Sequence, residues 1–259
     1  MSKAVSSPAP EPVLSPAAAA EWVQPFLDHL GKERRYSGYT VRNYRQAVEN
    51  LARWLRSTGR PPTAFGALTP RDVRDFVIEA QRRFGRRTLH NHVSGLRTFA
   101  RFWMREGRLR RNPFAGVPLP KLEKALPKFL TEAQAAKLLA GPEGQWREGA
   151  IGRFEALRDR LVLEILYGGG LRVSEAVALN YRDIDFGSGC ARVLGKGRKE
   201  RICPLGATAM AVLKEFRDTE ARQPGPADPV LVNLHHGRVT TAEVQRIVKK
   251  YLVLADLPM

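Results

Sequence analysis

The stretch Tyr167-Gly168-Gly169-Gly170-Leu171-Arg172-Val173-Ser174-Glu175-Ala176-Val177-Ala178-Leu179 decides how the rest of the chain is read. Three consecutive glycines allow a tight turn and a close approach of backbone to a ligand, at an entropic cost that a helix interior does not carry. A single arginine follows inside an otherwise apolar run. Glu175 lies three residues beyond Arg172, so a helix starting here sets the two charges on one face. Twenty-four residues past Arg172 comes Lys196, in a second glycine-punctuated stretch, Leu194-Gly195-Lys196-Gly197-Arg198-Lys199-Glu200-Arg201. Taken singly, these residues read as a helix ion pair and a solvated turn lysine. Taken together they point to a shared anionic partner.

The composition says what that partner is. The 259 residues carry 43 Lys plus Arg against 26 Asp plus Glu, a net charge of +17 with a pI near 10.5. Clustered cations gain affinity for nucleic acid by releasing its condensed counterions. The surplus is concentrated early: residues 1–127 hold 23 basic and 10 acidic residues, while 128–259 hold 20 and 16. The rival polyanion, a membrane surface, lacks support, because the sequence has no long apolar span and no terminal amphipathic helix. The two cysteines, Cys190 and Cys203, do not make a disulfide framework. With no signal peptide, they are expected to be reduced in a cytoplasmic protein.

Residues 1–18 are rich in Pro, Ala and Ser and read as a flexible leader. From Ala19, Trp22, Phe26, Leu27 and Leu30 recur at helical spacing. Thr40 is the expected cap of a second helix with the apolar stripe Val41, Tyr44, Val48, Leu51 and Leu55, and with Arg42 and Arg45 pointing elsewhere. Thr69-Pro70-Arg71-Asp72 opens a third with a capping box and proline at the first position. A fourth follows Gly85: Leu89, Val93, Leu96 and Trp103 form its buried face, and Arg87, Asn91, Ser94, Arg97 and Arg101 the opposite one. That second face has the residue types of a major-groove reader, with arginine for phosphate and guanine, and asparagine for adenine. Residues 108–128 are proline-interrupted and basic, ending at Lys128, and are expected to be an extended linker.

The second half opens with the capping box Thr131-Glu132-Ala133-Gln134. Helices are expected over 155–167, 172–179, 208–217 and from Thr240 to about Leu254. Ile184-Asp185-Phe186-Gly187 and Cys190-Ala191-Arg192-Val193-Leu194 read as a strand entering a turn at 195–199, and Arg201-Ile202-Cys203-Pro204-Leu205 as its return from a hairpin tipped with Gly and Lys. The fold class is therefore mainly α with a small antiparallel β-hairpin, α+β overall.

Gly170-Leu171-Arg172-Val173-Ser174-Glu175, followed by Leu179, Asp183 and Ile184, resembles the first catalytic box of the tyrosine recombinases, the phage integrase family. The Xer group of bacteria is the most similar. The 195–201 stretch with Pro204-Leu205 resembles that family's lysine-bearing hairpin, and the first half is similar to its four-helix, SAM-like core-binding domain. Between the leader (1–18) and the linker (108–128), the resemblance implies a core-binding domain (19–107), and after the linker a partial catalytic domain (129–259). It implies that Arg172 activates a DNA phosphate, Glu175 supports it and Lys196 is the leaving-group acid. Arg42, Arg45, Arg87, Asn91, Ser94, Arg97, Arg101, Lys128, Arg198, Lys199 and Arg201 are expected to contact DNA.

Also implied are cutting and rejoining through a 3′-phosphotyrosyl intermediate with no metal or cofactor, and a palindromic double-stranded site. The implied assembly is a homo- or hetero-tetramer with a paralogous recombinase. Chromosome-dimer resolution with a cell-division DNA translocase is the implied role, and no membrane is involved. The family's His-x-x-Arg box would begin just after Ala255-Asp256-Leu257-Pro258, with its tyrosine beyond. The expectation is that this chain binds DNA but does not cleave alone. The alternatives are a naturally truncated, non-catalytic DNA-binding protein and a mobile-element integrase.

Overall fold

A computed structural model describes residues 13–118, 129–195 and 199–258. The chain divides into two compact units, residues 1–125 and 126–259, each with its own core.

In the first unit a helical segment, α1, runs over 16–33, with α-turns at Pro16–Ala18 and Gln24–Asp28 alternating with π-turns at Ala19–Val23 and His29–Glu33. It is followed by α2 (Gly38–Ser57), α3 (Pro70–Arg83) and α4 (Arg86–Arg105). Helix α4 packs along α2. Gly95 makes this close crossing possible, since a methyl group there would lie 3.2 Å from the Tyr44 ring and 3.3 Å from Ala47 Cβ. The centre is aromatic: Phe26 meets Phe99 edge-on at 5.3 Å, and Trp22 meets Trp103 at 5.1 Å. Such pairs add about 0.5–1.5 kcal/mol to the burial of their rings.

Three boundaries differ from the sequence reading. Helix α1 begins before Ala19: Ser15 caps it by accepting from the Ala18 amide at 3.2 Å, Pro16 occupies the first position, and Leu14 is buried in the core. Only 1–12 of the expected leader lie outside the described residues. Helix α2 is capped by Ser37 rather than Thr40, because the Ser37 hydroxyl accepts from the Thr40 amide, and first-turn amides have no intrahelical partner. The segment 108–118 folds back onto its own unit instead of extending. Leu109 and Phe114 are buried, and Arg108 lies 5.1 Å over each of the Trp22 and Trp103 rings. Residues 119–128, with Lys128, lie outside the described residues.

The second unit contains α5 (Glu132–Arg147), α6 (Arg153–Tyr167), α7 (Val173–Ala178), α8 (Ala207–Thr219) and α9 (Thr241–Leu254). The expected capping box is present at Thr131–Gln134, and Thr240–Glu243 forms a second. Helix α6 packs against α5 and α8 and is buried along most of its length.

Strands β1 (Ile184–Asp185), β2 (Cys190–Leu194) and β3 (Glu200–Pro204) form an antiparallel sheet in that order. The segments 184–187 and 190–194, read in sequence as one strand, are thus two strands joined by a turn. Asp185 Oδ1 accepts from the amides of Gly187 and Ser188, and Gly189 takes φ +69°. An aspartate bonding to backbone two residues on is a turn former. The β2–β3 register runs from Cys190↔Pro204 to Leu194↔Glu200. Among the described residues, no helix is long and apolar enough to cross a membrane.

Candidate functional site

The triple-glycine turn ends α6 and points the chain into α7. Its glycines do different work. A methyl group on Gly169 would sit 2.8 Å from the Ile165 carbonyl and 2.9 Å from Leu205 Cδ2, so no side chain fits. Gly170 has φ +59°, a conformation that other residues adopt at a cost. The turn is therefore pressed against Leu205, the residue that follows β3.

Arg172 is the N-cap of α7 and Glu175 its third residue. Glu175 reaches back to accept from the Arg172 backbone amide at 2.9 Å and from Arg172 Nη1 at 2.9 Å. From β3, Arg201 donates to the same carboxylate through Nη1 at 2.6 Å and Nη2 at 2.8 Å. The Glu175 side chain is 4% exposed, Arg201 37% and Arg172 70%. The paired Arg201 guanidinium, with further bonds from Arg172, holds the Glu175 carboxyl down at about 2 despite its burial. Glu175 also pushes the Arg201 guanidinium still higher.

The hairpin tip starts beside this cluster. The Gly195 amide donates to the Lys199 carbonyl at 2.8 Å, and a methyl group on Gly195 would lie 3.3 Å from Arg201 Nη1 and 3.8 Å from Glu175 Oε1. Lys196, Gly197 and Arg198 lie outside the described residues. Lys199 is exposed.

The other expected contact residues are on the first unit. Arg42, Arg45, Arg87, Asn91 and Arg101 are exposed and Ser94 is half-buried. The Arg42 guanidinium lies 5.6 Å over the exposed Tyr39 ring, and Arg101 Nη2 donates to Thr98 Oγ1 at 3.1 Å. Arg97 is different. It donates to the carbonyls of Phe114, at 3.0 Å, and Val117, fastening the 112–117 segment to α4. Arg201 likewise has a protein carboxylate as its partner.

Sequence reasoning missed two positions in the second unit. Arg238 donates to the carbonyls of Val177 and Leu179 at 2.7 and 3.2 Å and to Asn180 Oδ1 at 2.6 Å, bracing the end of α7. The run His235-His236-Gly237-Arg238 has His-x-x-Arg spacing, but its arginine is thereby a strut of the loop. Asp159, buried in mid-helix, accepts from Arg158 and from Tyr251. Nothing in a helical periodicity marks an acidic residue for the core.

Comparison with known proteins gives the fold its relatives. Residues 128–258 match the phage integrase family, and residues 23–107 match the phage integrase N-terminal SAM-like domain. Tyrosine recombinase XerC of Oceanobacillus iheyensis is 35% identical over 247 residues, covering 91% of this chain and 76% of the relative. XerC of Bacillus subtilis is 33% identical over 234 residues, covering 87% and 73%. Among solved structures, a lambda integrase tetramer bound to a Holliday junction shares the fold with a TM-score of 0.68 at 16% identity, over 93% of this chain and 67% of that one. XerH bound to its palindromic difH substrate gives 0.66 at 19%, over 90% and 67%. The chain, with its SAM-like helical unit and its Arg172 turn set beside a hairpin, belongs to the phage integrase family and is a tyrosine recombinase, an enzyme of site-specific DNA recombination.

Proposed function

We propose that this protein is a Xer-type recombinase that resolves chromosome dimers in the cytoplasm. It would act on a palindromic site in a tetramer with a second copy or a paralogue. The XerC name of its relatives supports this reading over a mobile-element role. Arg172 binds nonbridging oxygens of the scissile phosphate, Lys196 protonates the departing 5′ oxygen, and Glu175 orients Arg172. The exposed arginines of α2 and α4 hold the duplex.

One observation carries the assignment of Arg172. Its side chain is 70% exposed and meets Glu175 through Nη1, while the carboxylate's other side-chain partner is Arg201. That leaves a fixed fork of donors facing outward, where charge developing on a pentacoordinate phosphorus needs them.

No tyrosine of the second unit is assigned as the nucleophile. Tyr251 and Tyr181 are buried, and Tyr167, though exposed, stands on the helix before the glycine turn. Chain 1–259 alone is expected to bind its duplex without forming a covalent 3′ adduct.

Equilibrium binding of chain 1–259 to palindromic duplexes across a salt series tests the reading. Affinity that falls steeply with salt, and falls further in Arg172→Ala, supports it. Weak, salt-independent binding contradicts it.

A further inference from the structure

Glu175 accepts four hydrogen bonds, two from Arg172 and two from Arg201. A carboxylate offers about four lone-pair sites, so this one is fully occupied. The division of labour between the arginines is unequal. Arg201 approaches with two parallel N–H donors, at 2.6 and 2.8 Å, which is the two-point geometry that fixes both partners. Arg172 gives the carboxylate its backbone amide and one guanidinium nitrogen, and keeps most of its side chain in solvent. The two arginines sit on different elements, β3 and the N-terminus of α7, and the nearly buried Glu175 is what joins them.

We propose that Arg201 is a positioning residue for the phosphate site: by clamping Glu175 through two nitrogens, it keeps Arg172 available to DNA and ties strand β3 to the Arg172 turn. This rests on the reading of Arg172 given above. Arg201 does not itself touch the phosphate; it acts through Glu175.

The physical consequence is a competition. Without Arg201, a nearly buried carboxylate has two vacant acceptor sites, and the cation already bonded to it is Arg172. Burial makes an unpaired carboxylate costly. Arg172 then turns its second nitrogen inward and is withdrawn from DNA. The hairpin simultaneously loses its tether beside Gly195, whose neighbours include Arg201 Nη1 and Glu175 Oε1.

A double-mutant cycle separates this role from simple support of the fold. Dissociation constants of chain 1–259 for a palindromic duplex are measured for wild type, Arg201→Ala, Glu175→Gln, both together, and Arg172→Ala, with circular dichroism verifying that each is folded. The expected result is a loss of about tenfold in Arg201→Ala, comparable to Arg172→Ala, and no further loss from Arg201→Ala once Glu175→Gln is present, because Arg201 acts through that carboxylate. The neutral amide no longer recaptures Arg172. Arg201→Lys, which keeps the charge but not the fork, falls between wild type and Arg201→Ala. A double variant about tenfold weaker than Glu175→Gln alone overturns the proposal, because a residue that supports the fold independently of Glu175 adds its loss in either background.

If Arg172→Ala binds as well as wild type, the phosphate reading fails instead, and the clamp is judged by amide hydrogen exchange. Amides of Gly195 and 199–203 exchanging at least about tenfold faster in Arg201→Ala than in wild type uphold the clamp; unchanged exchange rejects it.

Discussion

The Tyr251 hydroxyl donates to Asp159 Oδ2 across 2.8 Å, with both side chains closed off from solvent. The other carboxylate oxygen is held by Arg158 at 2.6 and 2.9 Å. Burial, and after it the Asp159 charge, pushes the Tyr251 phenol well above its ordinary range. Burial also raises the Asp159 carboxyl, against the pull of Arg158. A phenol so placed is a structural donor that joins α9 to α6, and a poor nucleophile.

Tyr251→Phe keeps the ring and removes the donor, leaving a buried carboxylate oxygen one partner short. It is expected to cost about 1–3 kcal/mol in urea unfolding of the second unit. Affinity for duplex DNA should stay at the wild-type value. A Tyr251→Phe protein with unchanged stability would mean that the Asp159 bond contributes nothing.

Gly169→Ala and Gly170→Ala should differ in kind. At Gly169 the added methyl meets the backbone oxygen of Ile165 at 2.8 Å, so the turn itself must shift, at a cost of about 1–3 kcal/mol. At Gly170 there is open space but φ is +59°, and the cost is about 1–2 kcal/mol from backbone strain alone. Thermal melting orders the two. Equal stability of Gly169→Ala and wild type would contradict the close approach of Leu205 to the turn.

The outlines of both units were legible in the sequence because local signals dominate there. Thr69, Thr131 and Thr240 each sit three residues before an acid or amide, and each forms its capping box. The apolar stripes of α2 and α4 form the helix–helix contact. The Arg172–Glu175 pair, three residues apart within one turn, was also legible. Relationships across the chain were not. Arg201 is 26 residues from Glu175, and in sequence it is one more cation in a basic hairpin. Arg97 falls on the polar face of α4 by spacing, yet the residues that claim it, Phe114 and Val117, lie in a segment whose prolines suggest an extended linker. Tertiary structure selects among the possible partners of an arginine, and periodicity carries no trace of that selection.

The acid limb of stability should carry the signature of Glu175. Its carboxyl is held at about 2, against an ordinary 4.5, principally by Arg201. A group whose folded value is depressed contributes stability that is fully present above the unfolded value and is lost as the pH falls through the folded one. The stability advantage of wild type over Glu175→Gln is therefore expected to be complete above about pH 5 and to shrink towards about pH 2. Urea denaturation at a series of pH values measures it. An advantage independent of pH in that window would show that the carboxylate charge is not what the two arginines hold.

Arg87 and Arg101, exposed on α4, are expected to act through phosphate, and Arg97 through the fold. Replacing Arg87 or Arg101 by alanine should reduce the slope of log affinity against log salt by about 0.9 each, with little change in unfolding midpoint. Arg97→Ala should leave that slope near wild type and lower the stability of the first unit by about 1–3 kcal/mol, because the Phe114 and Val117 carbonyls lose their donor. The reverse pattern would transfer Arg97 to the DNA-contacting set.

The central claim is that Arg172 grips one particular phosphate. A scan in which single methylphosphonates replace successive phosphates of a palindromic duplex tests it most directly, with dissociation constants measured for wild type and Arg172→Ala. A neutral linkage removes the charge that the guanidinium fork recognises. At one position in each half-site, the methylphosphonate should abolish the difference between wild type and variant, while elsewhere Arg172→Ala binds about tenfold more weakly. A constant difference at every position would contradict the account.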